Sequence, residues 1–110
     1  MSLDIYFEID ACDCCGREKE TIADFNFTYN CSKMWNEAGF DDDLAEGKKA
    51  EEIIHMLKTA IGRLVREKEH FDKMNPPNGW GSRKDLVRHF LGPMYAVARR
   101  YPKATVKMWR

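Results

Sequence analysis

The hydrophobic period of this chain changes twice along its length, and those changes restrict the fold more than any other feature. Leu3, Ile5, Phe7 and Ile9 alternate with Asp4, Tyr6, Glu8 and Asp10, the period of two that a strand shows when one face is buried. Phe25, Phe27 and Tyr29 repeat the pattern, with Asp24, Asn26, Thr28 and Asn30 on the opposite face. The residues between, 11–21, are polar and rich in cysteine, long for a tight turn but suited to a hairpin with a functional loop. An antiparallel pair is the expectation.

The period then becomes helical. Ser32 is a candidate N-cap for a short helix through Met34, Trp35 and Ala38, and Gly39 is a residue able to end it in a left-handed conformation. Asp41 to Asp43 read as loop. Ile53, Ile54, Leu57, Ala60, Ile61, Leu64, Val65 and Phe71 recur at steps of three and four, marking the longest helix, and Glu51 and Glu52 stand in its first turn, where negative charge is favoured. Pro76, Pro77, Gly79 and Gly81 break the helical pattern. Ser82 and Asp85 have the spacing of a capping box for a second main helix that buries Leu86, Val87, Phe90, Leu91, Met94 and Ala98. Pro93 lies inside that helix and should bend or interrupt it, crowding the carbonyl of His89. Ala104, Val106 and Met108 then alternate with Thr105, Lys107 and Trp109, restoring the strand period. The expected fold is a single α+β domain over residues 1–110. A small antiparallel sheet, the N-terminal hairpin plus the C-terminal strand, is covered on one face by two main helices and a short one.

Charge adds a constraint on partners. The 18 basic and 18 acidic side chains cancel overall, but fourteen acidic and five basic ones fall in residues 1–55, against four and thirteen in residues 56–110. Such polarity either steers an anionic partner or reflects complementarity between packed elements. The acidic half would repel a long duplex, so nucleic acid is not the expected partner. No apolar run approaches the roughly 20 residues that span a bilayer, and the first residues lack the basic start and apolar stretch of a secretory signal. The chain therefore reads as soluble and cytoplasmic, without a membrane partner.

Several stretches together resemble a family of small proteins from bacteria and their phages whose activity is not settled. They are Ser2-Leu3-Asp4-Ile5-Tyr6, the Cys-x-x-Cys-Gly of residues 12–16, Asn26-Phe27-Thr28-Tyr29-Asn30, and the Asn-Pro-Pro-Asn-Gly-Trp-Gly-Ser of residues 75–82. Further matches lie at Lys33-Met34, Glu37-Ala38-Gly39 and residues 102–110. Family members commonly have His at the position of Tyr29, and a Trp-Arg-Pro segment where this chain has Asp41-Asp42-Asp43-Leu44. The resemblance implies an architecture and a phage or bacterial origin, hence a location in a bacterial or phage-infected cell; it implies no chemistry.

Two clusters could carry chemistry. Cys12 and Cys15 have the two-residue spacing of a zinc knuckle. Cys31 follows the far end of the second strand, roughly 25 Å from the loop at about 3.3 Å per residue, so a four-thiolate site within one chain is not expected. Either Cys12 and Cys15 hold a structural zinc with outside ligands, or the cysteines are free thiols in a turn; no other cofactor is expected. His55, His70 and His89 are isolated from one another in sequence and from any nucleophile motif, so no catalytic residue is assigned.

The second cluster is uncharged. Asn26, Thr28 and Asn30 project from one face of the second strand, and asparagine is depleted from strands because its amide competes for backbone hydrogen bonds. These side chains either pair with a loop or recognise the edge of a polar ligand. Asn78 and Trp80, in a glycine-flanked loop, could stack on such a ligand, or the indole could plug the core. Arg83, at the start of the following helix, would suit a phosphate. The expected function is thus a non-enzymatic protein that holds a small nucleotide-like molecule between strand two and the Trp80 loop, in one form a phage sponge that sequesters a host defence signal. The alternatives are a protein-interaction or dimerisation module that inhibits a host protein, with or without zinc, and an enzyme without a recognisable motif.

Overall fold

The computed structural model describes residues 2–10, 19–77, 79 and 81–110. The alternating segments form strands β1 (Ser2–Asp10), β2 (Lys19–Thr28) and β3 (Thr105–Trp109). The sheet is antiparallel in the order β2-β1-β3. The first strand is therefore central, with its hairpin partner on one side and the C-terminal strand on the other. The register sets Leu3 against Phe27, Ile5 between Phe25 and Met108, and Phe7 between Ala23 and Val106. Leu3, Ile5, Phe7 and Val106 are fully buried, each such side chain contributing about 1.5–3 kcal/mol relative to exposure.

Helices cover this apolar face. They are α1 (Ser32–Ala38), α2 (Asp42–Ala45), α3 (Ala50–Arg66), α4 (Lys68–Asp72), α5 (Arg83–Asp85) and α6 (Gly92–Arg100), with a π-helical segment Leu86–Leu91 joining the last two. Ile53, Leu57, Ala60 and Leu64 of α3 and Leu86, Phe90, Leu91, Met94 and Ala98 of the second helical stretch are all fully buried. Phe90 ties the layers together: its ring stacks on Phe27 of β2 with centroids 5.4 Å apart and meets Trp35 of α1 at 5.6 Å.

Local details depart from the sequence expectation where a polar side chain redirects the backbone. The second strand begins at Lys19, earlier than its apolar pattern, and ends at Thr28. Tyr29 and Asn30 belong to a 3-10 turn, Tyr29–Cys31, because the Thr28 hydroxyl accepts the Asn30 N–H at 3.2 Å and turns the chain out of the sheet. That turn runs directly into α1, so Ser32 is its first residue instead of its cap. Gly39 ends α1 at φ 121°, as expected. Asp41 converts the acid-rich stretch from loop to helix by accepting the Leu44 N–H at 3.2 Å, an N-cap for α2. The long helix breaks at Glu67, and Phe71 reaches the core from α4. Val65, expected in the core, is 55% exposed.

Proline 93 is absorbed without a break. The helix widens so that Gly92 donates to the carbonyl of Val87, five residues back, which gives the ring the room a regular turn would deny it. Only glycine fits there, since a Cβ on residue 92 would lie 2.6 Å from that carbonyl oxygen. Ser82 caps this stretch by accepting the Asp85 N–H at 3.2 Å.

The two charge halves meet inside the molecule. Lys103 pairs with Glu51 at 3.1 Å, and Arg110 reaches Asp43 and Glu46 at 2.8 Å and Asp42 at 3.2 Å. The Glu46 hydrogen bond chiefly holds the Arg110 guanidinium in its charged form. Two basic side chains of residues 56–110, Lys103 and Arg110, thus pair with carboxylates of residues 1–55. Among the described residues, no helix is long and apolar enough to cross a membrane.

Candidate functional site

The face of the sheet turned away from the helices carries the outward half of each alternation. Asn26, Asp4 and Trp109 form one cross-strand row, and Asp24, Tyr6 and Lys107 form the next. These rows frame an open depression of about 440 Å³ lined by Asp4, Tyr6, Thr21, Asp24, Asn26 and Trp109, with the backbone level of Ile5 and Phe25 beneath. Trp109 is 70% exposed. The strand period turns its side chain outward.

The geometry fixes the orientation of the amide. Asn26 Nδ2 donates to Asp4 Oδ1 and to Ser2 Oγ, the latter at 3.0 Å. A carboxylate can only accept, so the amide must turn its nitrogen toward Asp4 and leave its oxygen for another donor. The depression therefore combines two carboxylates, an amide oxygen and two aromatic side chains. Among the described residues that line it there is no lysine or arginine; Lys107 stands beside it, across from Tyr6.

The residues singled out from sequence do not share one place. Asn26 lies in this depression. Thr28 lies at the end of β2, its hydroxyl committed to the turn and its methyl facing Gly81, where an added Cβ would come within 2.9 Å of it. Asn30 is exposed but sits in the 3-10 turn, off the strand face it was expected to share with Asn26. Arg83 is engaged within the fold: its side chain is buried, its Nε donates to Asp72 Oδ1 at 2.8 Å and its Nη1 to the Leu64 carbonyl at 3.1 Å. That hydrogen bond, with the guanidinium charge, holds the Asp72 carboxyl below its ordinary value. Asn78 and Trp80 lie outside the described residues. Gly81 lies against Cys31, Thr28 and Phe27, at the end of β2, with φ 93°.

Cys12 and Cys15 also lie outside the described residues. Cys31 is fully buried, and burial pushes its thiol up to about 11, which keeps it protonated and a poor metal ligand at neutral pH. Among the described residues, no group of three or more His, Cys, Asp or Glu side chains could hold a metal ion. His70 pairs with Glu37, and His89 lies 3.9 Å from Asp85 one turn back.

Trp109 is the residue that sequence reasoning passed over. The alternation of β3 already turned it outward; an outward tryptophan beside Asn26 and Asp4 becomes visible as a site only when the order β2-β1-β3 is known. No family model, curated protein or solved structure matches the chain.

Proposed function

We propose that this chain is a binding protein that holds a small, planar, nucleotide-like molecule against the open face of its sheet and thereby sequesters it. The observation that carries this reading is the 70% exposed indole of Trp109 beside Tyr6, Asn26, Asp4 and Asp24 in one depression. A tryptophan left in water forgoes the burial that normally justifies it, whereas an aromatic platform gains about 1–3 kcal/mol from each base that stacks on it. The Asn26 amide oxygen and the carboxylates would read the donor edge of the stacked ring. Lys107 stands where a phosphate extending past Tyr6 would be neutralised. In a phage-infected cell, the origin that the sequence resemblance suggests, the ligand would be a host signalling nucleotide.

Isothermal titration against cyclic nucleotides, ADP-ribose derivatives and the simple nucleosides tests this. Binding by the native chain that is lost in Trp109→Ala is expected. No heat with any of them, or binding unchanged in that variant, contradicts it.

A second reading rests on a different feature. The outer edge of β3 is met by residues 47–49, with Gly47 donating to Val106 and Val106 donating to Lys48 at 2.8 Å, but β2 remains an edge strand ten residues long. Such an edge can accept a strand from a second copy or a host protein. A monomer mass by light scattering at all concentrations, with no change on Ala23→Pro, contradicts the dimer form of this reading.

A further inference from the structure

The polar lining of the depression limits which planar molecules suit it. This inference rests on the binding reading above and narrows it to a ligand class. Asp4 and Asp24 are acceptors only, and the amide hydrogens of Asn26 are directed to Asp4 and Ser2, so its oxygen is what remains for a guest. Among the described side chains that line the depression, only Thr21, the Tyr6 hydroxyl and the Trp109 N–H could donate. A ligand edge rich in acceptors would therefore meet anionic oxygens with little to neutralise them.

The aromatic part of the lining points the same way. Trp109 and Tyr6 lie in adjacent cross-strand rows with the two carboxylates, Asp4 beside the indole and Asp24 beside the phenol. A π face flanked by carboxylates favours a flat group whose rim carries N–H donors, because stacking and charge-assisted hydrogen bonds then act together. Two parallel N–H groups on one edge match the two oxygens of a single carboxylate, the fork geometry that makes such pairs selective. Asp24 is the residue suited to this pairing, since Oδ1 of Asp4 already accepts from Asn26.

We infer that the open face selects a planar group with two adjacent N–H donors, the arrangement shared by the base edge of guanine and by a guanidinium ion. Guanosine and inosine separate this from general stacking, because they differ only in the 2-amino group that supplies the second donor. Guanosine is expected to bind about tenfold or more tightly than inosine, a discrimination within reach of one paired donor. Asp24→Asn, which keeps the shape but replaces one acceptor by a donor, is expected to bring the two affinities together. The thermal midpoint of that variant checks that the exposed substitution leaves the fold intact.

Agmatine, which carries an alkylguanidinium, distinguishes the two sources. Tighter binding of guanosine assigns the site to a base, and tighter binding of agmatine assigns it to a guanidinium. Equal affinity for guanosine and inosine, both dependent on Trp109, overturns the donor-pair inference and leaves the binding reading standing. Absence of binding by every nucleoside and by agmatine overturns both.

Discussion

Asn26 donates its side-chain amide to the carboxylate of Asp4, the residue directly opposite it in the β1–β2 pair. This contact joins two neighbouring strands on the open face and sets the orientation of the Asn26 amide in the depression. Asn26→Asp would place like charges directly across from each other, which destabilises a strand pair. A loss of about 1 kcal/mol at pH 7 is expected, shrinking as the pH is lowered into the carboxylate range near about 4. Thermal unfolding at the two pH values checks it; a loss that does not change with pH contradicts the charge explanation.

Gly92 is required by the widened helix turn. A methyl at this position meets a backbone oxygen at 2.6 Å, and backbone cannot step aside as a flexible side chain can. Gly92→Ala is expected to cost about 1–3 kcal/mol, the usual range for overpacking. Gly62→Ala is the control, because its nearest foreign atom is the mobile end of Arg66 at 3.4 Å. That change is expected to be neutral or mildly stabilising. Equal midpoints for the two variants would remove the proposed role of Gly92.

These elements mark how much could be seen in the sequence. The periods of Leu3–Ile9, Ile53–Leu64 and Ala104–Met108 each encode a buried face directly, so the α+β layering and the return of the last strand were legible. What escaped notice depended on single polar contacts. Thr28 ending β2 and Asp41 capping α2 are local competitions between a side chain and the backbone that periodicity does not report. The site was half legible. Asn26 stood out because asparagine is unusual in a strand, but its partners Asp4 and Trp109 are 22 and 83 positions away in sequence. Only the strand order brings them together. Arg83 looked like an anion ligand because burial by Asp72 and Leu64 cannot be read from its neighbours in the chain.

Arg83 anchors the second helical stretch to the end of α3 and to α4. Arg83→Ala removes a charge-assisted bond to Asp72 and leaves the buried Leu64 carbonyl without its donor. A loss of about 2–3 kcal/mol is expected in urea unfolding. The pH dependence has a definite sign. Asp72 is held below its ordinary value of 3.8, first by the hydrogen bond from Arg83, so its contribution is present above that value and is lost as the pH falls through the lowered native one. The native chain should therefore lose more stability than Arg83→Ala on acidification below about 4. Parallel acid curves for the two would contradict this.

Cys31 gives the alkaline counterpart. Its thiol is raised from 9.0 to about 11 by burial and by the nearby Asp85 charge, so the protonated form is favoured in the native state. The stability this gives is present below pH 9 and lost as the pH rises toward the native value. Iodoacetamide is expected to label Cys31 only at the rate of unfolding, followed by peptide mass spectrometry at pH 8. Rapid labelling of the native chain would show that the thiol is accessible.

The claim on which the functional account depends is that the open sheet face receives a planar ligand. Its most direct measurement follows the indole N–H resonances by two-dimensional NMR during titration with nucleosides. Trp109, 70% exposed, and Trp35, fully buried, serve as paired reporters. The account expects the Trp109 resonance, with the backbone amides of Tyr6 and Asn26, to move and saturate while Trp35 holds its position. A Trp109 signal that stays fixed at saturating ligand, or shifts confined to the helical side of the molecule, would contradict it.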